Sequence, residues 1–430
     1  MKKYFIFAAA AVVAASCAKT PVPVQTPDGP EVPAVEGREA VQFGSNLIAN
    51  VETKANGSVE AWGGQDLYIY GLKRIKVGDS SKSLFQSKSG YTFIDNVKAA
   101  APASGIEGAL EVKKENGEYF YYEGTSTYDF FGYYVDDAYM TGDNTPTTSV
   151  PEVRSFNSEA DSAFVLPIKI NGGQDIMLAK ASADYAFGKV EEPDKTTYWT
   201  DKGQSTWNKK YAFSAYSARR KVKPYLVFEH QLAQIQFNVK SGTTFTDERG
   251  NTVSPQLYIN SVNFTGVNTT ADLYIASSST AEQYKEGIHN EGNEGAIAVT
   301  EAEGTGDPAS VKRVELKRVK VPNKGGEEEI GAPTMLFPAG KYSVDIVLAQ
   351  DGTTQTQTIT CELNPANIKV KDGEGKWNTP SPAKTSFEAG YKYNVIVTVY
   401  GLEKIDVTVE LEKWGYGGEA DIDTDEVPEF

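Results

Sequence analysis

Two histidines and two cysteines are the whole supply of imidazole and thiol chemistry in this 430-residue chain. His230 and His289 fall in no HExxH motif and no Cys/His cluster, so they cannot build a conventional His-rich metal site alone. His230 follows the start of an apolar strand, where a hydrogen-bonded structural histidine is the expected role. The chain has no GxSxG elbow and no phosphate-cradling P-loop. Carboxylates are plentiful, but a glycosidase acid and nucleophile need only converge in space, so spacing singles out no pair. Asp421, Asp423 and Asp425 copy the start of an EF-hand loop, yet Glu426 stands where that loop needs glycine. A solvated acidic stretch is the simpler expectation. The residues therefore point away from an enzyme and from any resident cofactor or metal.

The chemistry that remains is covalent and lies at Cys17. In MKKYFIFAAAAVVAASCAKT, Lys2 and Lys3 precede an apolar run from Tyr4 to Ala15, too short to span a membrane. Ala14-Ala15-Ser16-Cys17 then resembles a bacterial lipobox. Cleavage before Cys17 would place its thiol at the new N-terminus, ready for acylation with palmitate-type lipid. Residues 1–16 are thus expected to be a lipoprotein signal peptide. Residues 17–36 follow as the lipidated Cys and a Pro-rich tether carrying Pro21, Pro23, Pro27, Pro30 and Pro33. With Cys17 lipidated, Cys361 in TITCELN has no disulfide partner within the chain and reads as a small core residue. No other apolar run reaches spanning length. The expected location is the cell outer membrane or cell surface, held by lipid or released from it.

These groups must be carried by strands. Thr, Tyr, Val, Phe and Gly are abundant, and Met occurs only four times. A net charge of −16 lacks the basic footprint of a nucleic-acid binder. In AVQFGSNLIANVETKANGS, residues 40–58, Val41, Phe43, Leu47 and Val51 alternate with polar positions, the period of a half-buried strand. That strand ends at Lys54 and Ala55, an exposed, protease-friendly site. Further strands follow at short intervals between Gly, Asn and Pro turns, which indicates an all-β chain of β-sandwiches. The expected division is an N-terminal domain over 37–222 and a C-terminal domain over 223–430. Residues 188–223 read as a long loop or a domain crossing, and 277–311 as a long loop. DNVKAAAPAS and SEADSAF would be single turns at most. Asp161-Ser162-Ala163 fits a bacterial O-glycosylation sequon, which usually marks a surface loop. Near the C-terminus Ile405, Val407, Val409 and Leu411 present the same alternation as the first strand. Every strand of a sandwich alternates, so pairing within its own domain is the other reading of that segment.

Several segments, taken in order, resemble the fimbrillins, the type V pilins of Bacteroidota. They are the lipobox start, the strand ending in Thr53-Lys54-Ala55, WGGQDLYIYG and YDFFGYYV. FEHQLAQIQFNV, LFPAGKYSVDI and FEAGYKYNVIVTV with IDVTVELEKWGYGG complete the set. The resemblance implies two transthyretin-like β-sandwich domains and a structural, non-enzymatic role in a pilus, or fimbrium. It also implies export as a lipoprotein, then removal of lipid and first strand by a trypsin-like protease. A strand from another pilin subunit, commonly from its C-terminal region, would refill the groove by donor-strand exchange. Ile405, Val407, Val409 and Leu411 are then the candidate donor. The chain departs from the family at the cleavage position, where Lys54 stands in place of Arg. Cutting at Arg38 instead would leave the strand attached. A chain cut at neither would suit an uncleaved anchor or tip subunit. A second class of function, a surface glycan-binding lipoprotein, would use exposed aromatics such as Trp62, Trp199, Trp207 and Trp377 to stack on sugars; core or strand-edge packing is the other, simpler reading of these tryptophans.

Overall fold

The computed structural model describes residues 38–47, 61–77, 80–83, 92–136, 151–158, 161–190, 212–253, 256–278, 282–303, 312–371, 377–380 and 382–413. Alternating sequence becomes strand almost throughout. The first strands are β1 (Phe43–Leu47), β2 (Asp66–Val77), β3 (Ser80–Ser83), β4 (Thr92–Ala100), β5 (Glu107–Leu110) and β6 (Tyr128–Val135). Then come β7 (Glu152–Ser158), β8 (Asp161–Lys169), β9 (Ile176–Ala181), β10 (Tyr225–His230), β11 (Ala233–Ser241) and β12 (Leu257–Ser277). The next are β13 (Gly287–Ala298), β14 (Thr300–Glu303), β15 (Lys312–Glu315), β16 (Val319–Lys320), β17 (Glu327–Leu336) and β18 (Tyr342–Gln350). The last are β19 (Thr356–Leu363), β20 (Ile368–Lys371), β21 (Trp377–Asn378), β22 (Tyr391–Val399) and β23 (Ile405–Lys413). Two short helices, α1 (Ala183–Gly188) and α2 (Ala215–Ala218), are each started by a serine side chain accepting from a backbone N–H.

The all-β expectation holds. A first sheet runs β3-β2-β6-β9-β10-β1-β5, with β4 also on β2. A second runs β19-β18-β12-β8-β7, with β13 and β16 added to β12. A third runs β17-β11-β22-β23-β20-β21, and β14 pairs with β15.

The middle of the first sheet, β2, β6 and β9, is buried on both faces. Along β6, Tyr128, Phe130 and Tyr134 enter one core with Val41, Phe43, Leu47, Leu67, Ile69 and Phe228. The intervening Phe131, Tyr133 and Val135 enter a second core with Phe164, Phe237, Phe264, Tyr342 and Val395. A strand covered on both sides needs a near-continuous apolar run, which YDFFGYYV supplies. Tyr70 of β2 stacks on Phe164 of β8 with ring centroids 4.3 Å apart, joining the first sheet to the second.

Hydrogen bonding also crosses the expected boundary at residue 222. β8 pairs with the far half of β12, from Thr270↔Lys169 to Ser277↔Ala163. Three local expectations are corrected. Residues 287–298, expected in a loop, form β13 because β12 offers a partner from Asn263↔Ala298 to Tyr274↔Gly287. Pairing with an established strand outweighs the weak β-propensity of GIHNEGNEGAIA. Asp95–Ala100 and Asp161–Phe164, read as turns at most, lie in β4 and β8. Ser162 is therefore no surface-loop serine: it is buried, and its N–H donates to Ser278 Oγ at 2.9 Å. Cys361 sits half-buried on β19, and burial pushes its thiol up to about 11.

The motif FEHQLAQIQFNV is the corner between sheets. β10 ends the first sheet at His230, and β11 enters the third at Ala233, with only Gln231 and Leu232 between. His230 and Asp175 are both buried, with Nδ1 and Oδ1 2.9 Å apart. The Asp175 N–H donates to Asp136 Oδ2 at 2.9 Å, and the Gln231 N–H to the Ile176 carbonyl at 2.8 Å. The structural role expected of His230 is what the geometry gives it. A buried hydrogen bond at such a corner is costly to break from one side, because the partner left behind stays buried and unsatisfied. Asp175→Ala is expected to lower unfolding free energy by about 3 kcal/mol, read from urea denaturation.

Candidate functional site

The site is the slot that β1 fills. β1 lies between two neighbours, parallel to β10 and antiparallel to β5. Its register runs Gly44↔Tyr225 to Leu47↔Phe228 on one side and Phe43↔Leu110 to Asn46↔Glu107 on the other. The pairing continues upstream, where the Val41 N–H donates to the Phe120 carbonyl at 2.8 Å and the Tyr122 N–H to Glu39.

The alternation read from the sequence sets the two faces. Val41, Phe43, Ser45 and Leu47 are buried on the core side. Phe43 meets Phe130 edge-on, with centroids 5.0 Å apart. Ser45 has no exposed surface, and its hydroxyl donates to the Gly108 carbonyl at 3.2 Å. Gly108, paired opposite Ser45, has Pro102 packed where its own Cβ would stand, and Ser45 is itself fully enclosed.

The opposite face is covered by α1. Asn46 Nδ2 donates to the Tyr185 hydroxyl at 2.7 Å. Lys189 reaches over to Glu107 of β5, with Nζ 2.7 Å from Oε1, and lies over the rings of Tyr185 and Tyr225. Burial presses the Lys189 ammonium towards neutral, but Glu107 and Tyr185 together outweigh it and hold the pKa above its ordinary value. Tyr225 lies over Gly44. A Cβ at residue 44 would stand 2.3 Å from the Tyr225 ring, so the strand needs glycine here for close approach, not for its dihedrals. An isolated glycine in an alternating strand was the sequence signal for this contact; nothing in the sequence pointed to α1 or to Tyr225 as its cover.

The other expected site residues fall as follows. Cys17, Val51, Lys54, Ala55, Trp199 and Trp207 lie outside the described residues. Arg38 is exposed at the upstream end of β1, on the opposite side of the strand from Lys54 in sequence. Ile405, Val407, Val409 and Leu411 stand together in β23. There they hydrogen-bond along β22 from Val399↔Ile405 to Tyr391↔Lys413, and along β20 at 409–411. Val409 is buried and the other three pack against the second core. Trp62 is not exposed, as a sugar platform would be: it is buried, its ring edge-on to Phe228 at 5.3 Å. No group of His, Cys, Asp and Glu suited to a metal ion occurs among the described residues.

The sequence model of one protein family, described as fimbrillin-like, matches residues 198–414, just over half of the chain. The chain belongs to the fimbrillin-like family. Among solved structures, a candidate cell adhesion protein from Bacteroides uniformis is 14% identical, with a TM-score of 0.42, covering 89% of this chain and 100% of its own. A fimbrilin (fimA) from Porphyromonas gingivalis is 9% identical, with a TM-score of 0.36, covering 89% and 99% respectively. The tip fimbrial protein Mfa3 from the same organism is 10% identical, with a TM-score of 0.32, covering 87% and 99%. No curated protein matches the sequence significantly. Membership of the fimbrillin-like family supports a fimbrial or adhesion subunit, assembly with other pilin subunits, a place in a cell-surface fimbrium, and a non-enzymatic role.

The slot makes a sharp demand on this fimbrillin-like chain. Gly44→Val is expected to destabilise it by about 1–3 kcal/mol through overpacking against Tyr225. In a Tyr225→Ala background the same Gly44→Val change is expected to cost much less. A double-mutant cycle from urea midpoints checks the coupling.

Proposed function

We propose that this fimbrillin-like chain is the structural subunit of a type V pilus, exported as a lipoprotein on Cys17. In this reading a trypsin-like protease cuts between Lys54 and Ala55, releasing β1 together with the tether and lipid. A strand from the C-terminal region of another subunit then fills the slot.

One observation carries the proposal: β1 is a sheet-interior strand whose departure would open the first core. Val41, Phe43 and Leu47 are buried. At about 1.5–3 kcal/mol for each buried side chain, removing them costs about 5–9 kcal/mol. That is most of the roughly 5–15 kcal/mol by which a domain is stable. The backbone groups of β10 and β5 that face β1 would also lose their partners, and an incoming strand satisfies both needs at once. The position of β1 in the chain fits as well, since Lys54 follows Leu47 by only a few residues. A cut at Arg38 would free the tether and leave β1 seated.

The test is N-terminal sequencing of the surface-exposed form, with and without Lys54→Gln. The expected mature N-terminus is Ala55, and Lys54→Gln is expected to abolish that end together with the fibres. An intact lipidated Cys17 in the wild type would instead make the chain an anchor subunit. Unchanged fibres and an unchanged N-terminus in Lys54→Gln would overturn cleavage at this position.

A further inference from the structure

We propose that Tyr225 makes the β1 slot selective for glycine, and that the segment meeting this demand is Trp414–Ala420 of a second copy of the chain. The inference rests on donor-strand exchange as proposed above and goes on to say which residues enter and in what register.

The slot imposes three conditions in a row. The Phe43 position takes a large ring, set edge-on against Phe130. The next position faces Tyr225, which leaves no room for a Cβ. Tyr225 is itself held, buried, edge-on to Tyr185 at 5.7 Å with the Lys189 ammonium above it. The third position, Ser45, is fully enclosed opposite Gly108 and admits only a small residue.

β23 does not meet these conditions. With Ile405, Val407, Val409 and Leu411 on the core side, the residue facing Tyr225 would be Asp406, Thr408 or Glu410, each with a Cβ. β23 is also paired along its whole length with β22.

Beyond it the sequence reads Trp414-Gly415-Tyr416-Gly417-Gly418-Glu419-Ala420. Laid on Val41-Gln42-Phe43-Gly44-Ser45-Asn46-Leu47 in the same direction, Tyr416 takes the place of Phe43 and Gly417 that of Gly44. Gly418 takes the place of Ser45 and Glu419 that of Asn46. Trp414 and Ala420 fall at the outer apolar positions. Placing Gly415 under Tyr225 would force Tyr416 into the Ser45 site, and placing Gly418 there would put Glu419 in it. Running the segment backwards with Gly417 under Tyr225 again drives Tyr416 into the Ser45 site. Only one register fits. A large apolar residue, glycine and a small residue also occur in order at Trp62-Gly63-Gly64 and Ile330-Gly331-Ala332. Both Trp62 and Ile330 are already buried in the fold.

The test uses cells exporting the full chain, with fibres scored by electron microscopy. Gly417→Val is expected to abolish fibres while the purified precursor melts as the wild type does, because its own slot still holds Gly44. Adding Tyr225→Ala is expected to restore fibres. Register is read with Cys361→Ser as background: the pair Val227→Cys and Glu419→Cys is expected to give a disulfide-linked ladder on non-reducing gels. The pair Val227→Cys and Thr408→Cys is expected to give none. Fibres from Gly417→Val alone, or a ladder only through residue 408, would overturn glycine selection and leave donor exchange standing. Wild-type cells without any fibres would overturn both.

Discussion

The burial of the middle of one sheet on both of its faces is the constraint on which this molecule depends. In the first sheet β2, β6 and β9 divide their side chains by parity between two cores, so each of them must satisfy two environments. A shift of one residue in any of these strands would exchange the two sets. β6 answers with rings on both sides, and β1 answers with bulk on one side and, at Gly44, no side chain on the other. The tolerance of the sheet is therefore narrowest where Gly44 passes beneath Tyr225.

This constraint decides what could be read from sequence. The inner face of β1 was legible, because Val41, Phe43 and Leu47 keep a period of two and are buried as that period requires. His230 was legible as structural, but its partner Asp175 was not, since the two meet only through the turn between β8 and β9. β13 was illegible for a related reason. Its sequence is polar and Gly-rich, and it becomes a strand through a neighbour supplied by β12. Trp62 takes the packing role that any tryptophan of a sandwich has open to it, and plugs the core beside Phe228. Residues that owe their conformation to distant partners leave weak local signals, and the candidate site is built largely from such residues.

The same geometry separates two tasks often given to one segment. β23 has the alternation of a donor, but its hydrogen bonds to β22 and β20 tie it into the third sheet. Alternation marks membership of a sandwich; occupancy of a particular slot requires in addition the small-residue pattern set by that slot's neighbours.

α1 gives the slot a property that neighbours alone would not. Beside β1 stand β10 and β5, beneath it lies the core, and above it Tyr185, Tyr225 and the Lys189–Glu107 bridge partly close the fourth side. The strand runs through a partial sleeve, in which Gln42 and Asn46 reach part-way to solvent on the outer side. A sleeve is emptied and refilled lengthwise. One strand would leave by sliding or by yielding place residue after residue to the next, and no broad face of the sheet would be bared to solvent in between.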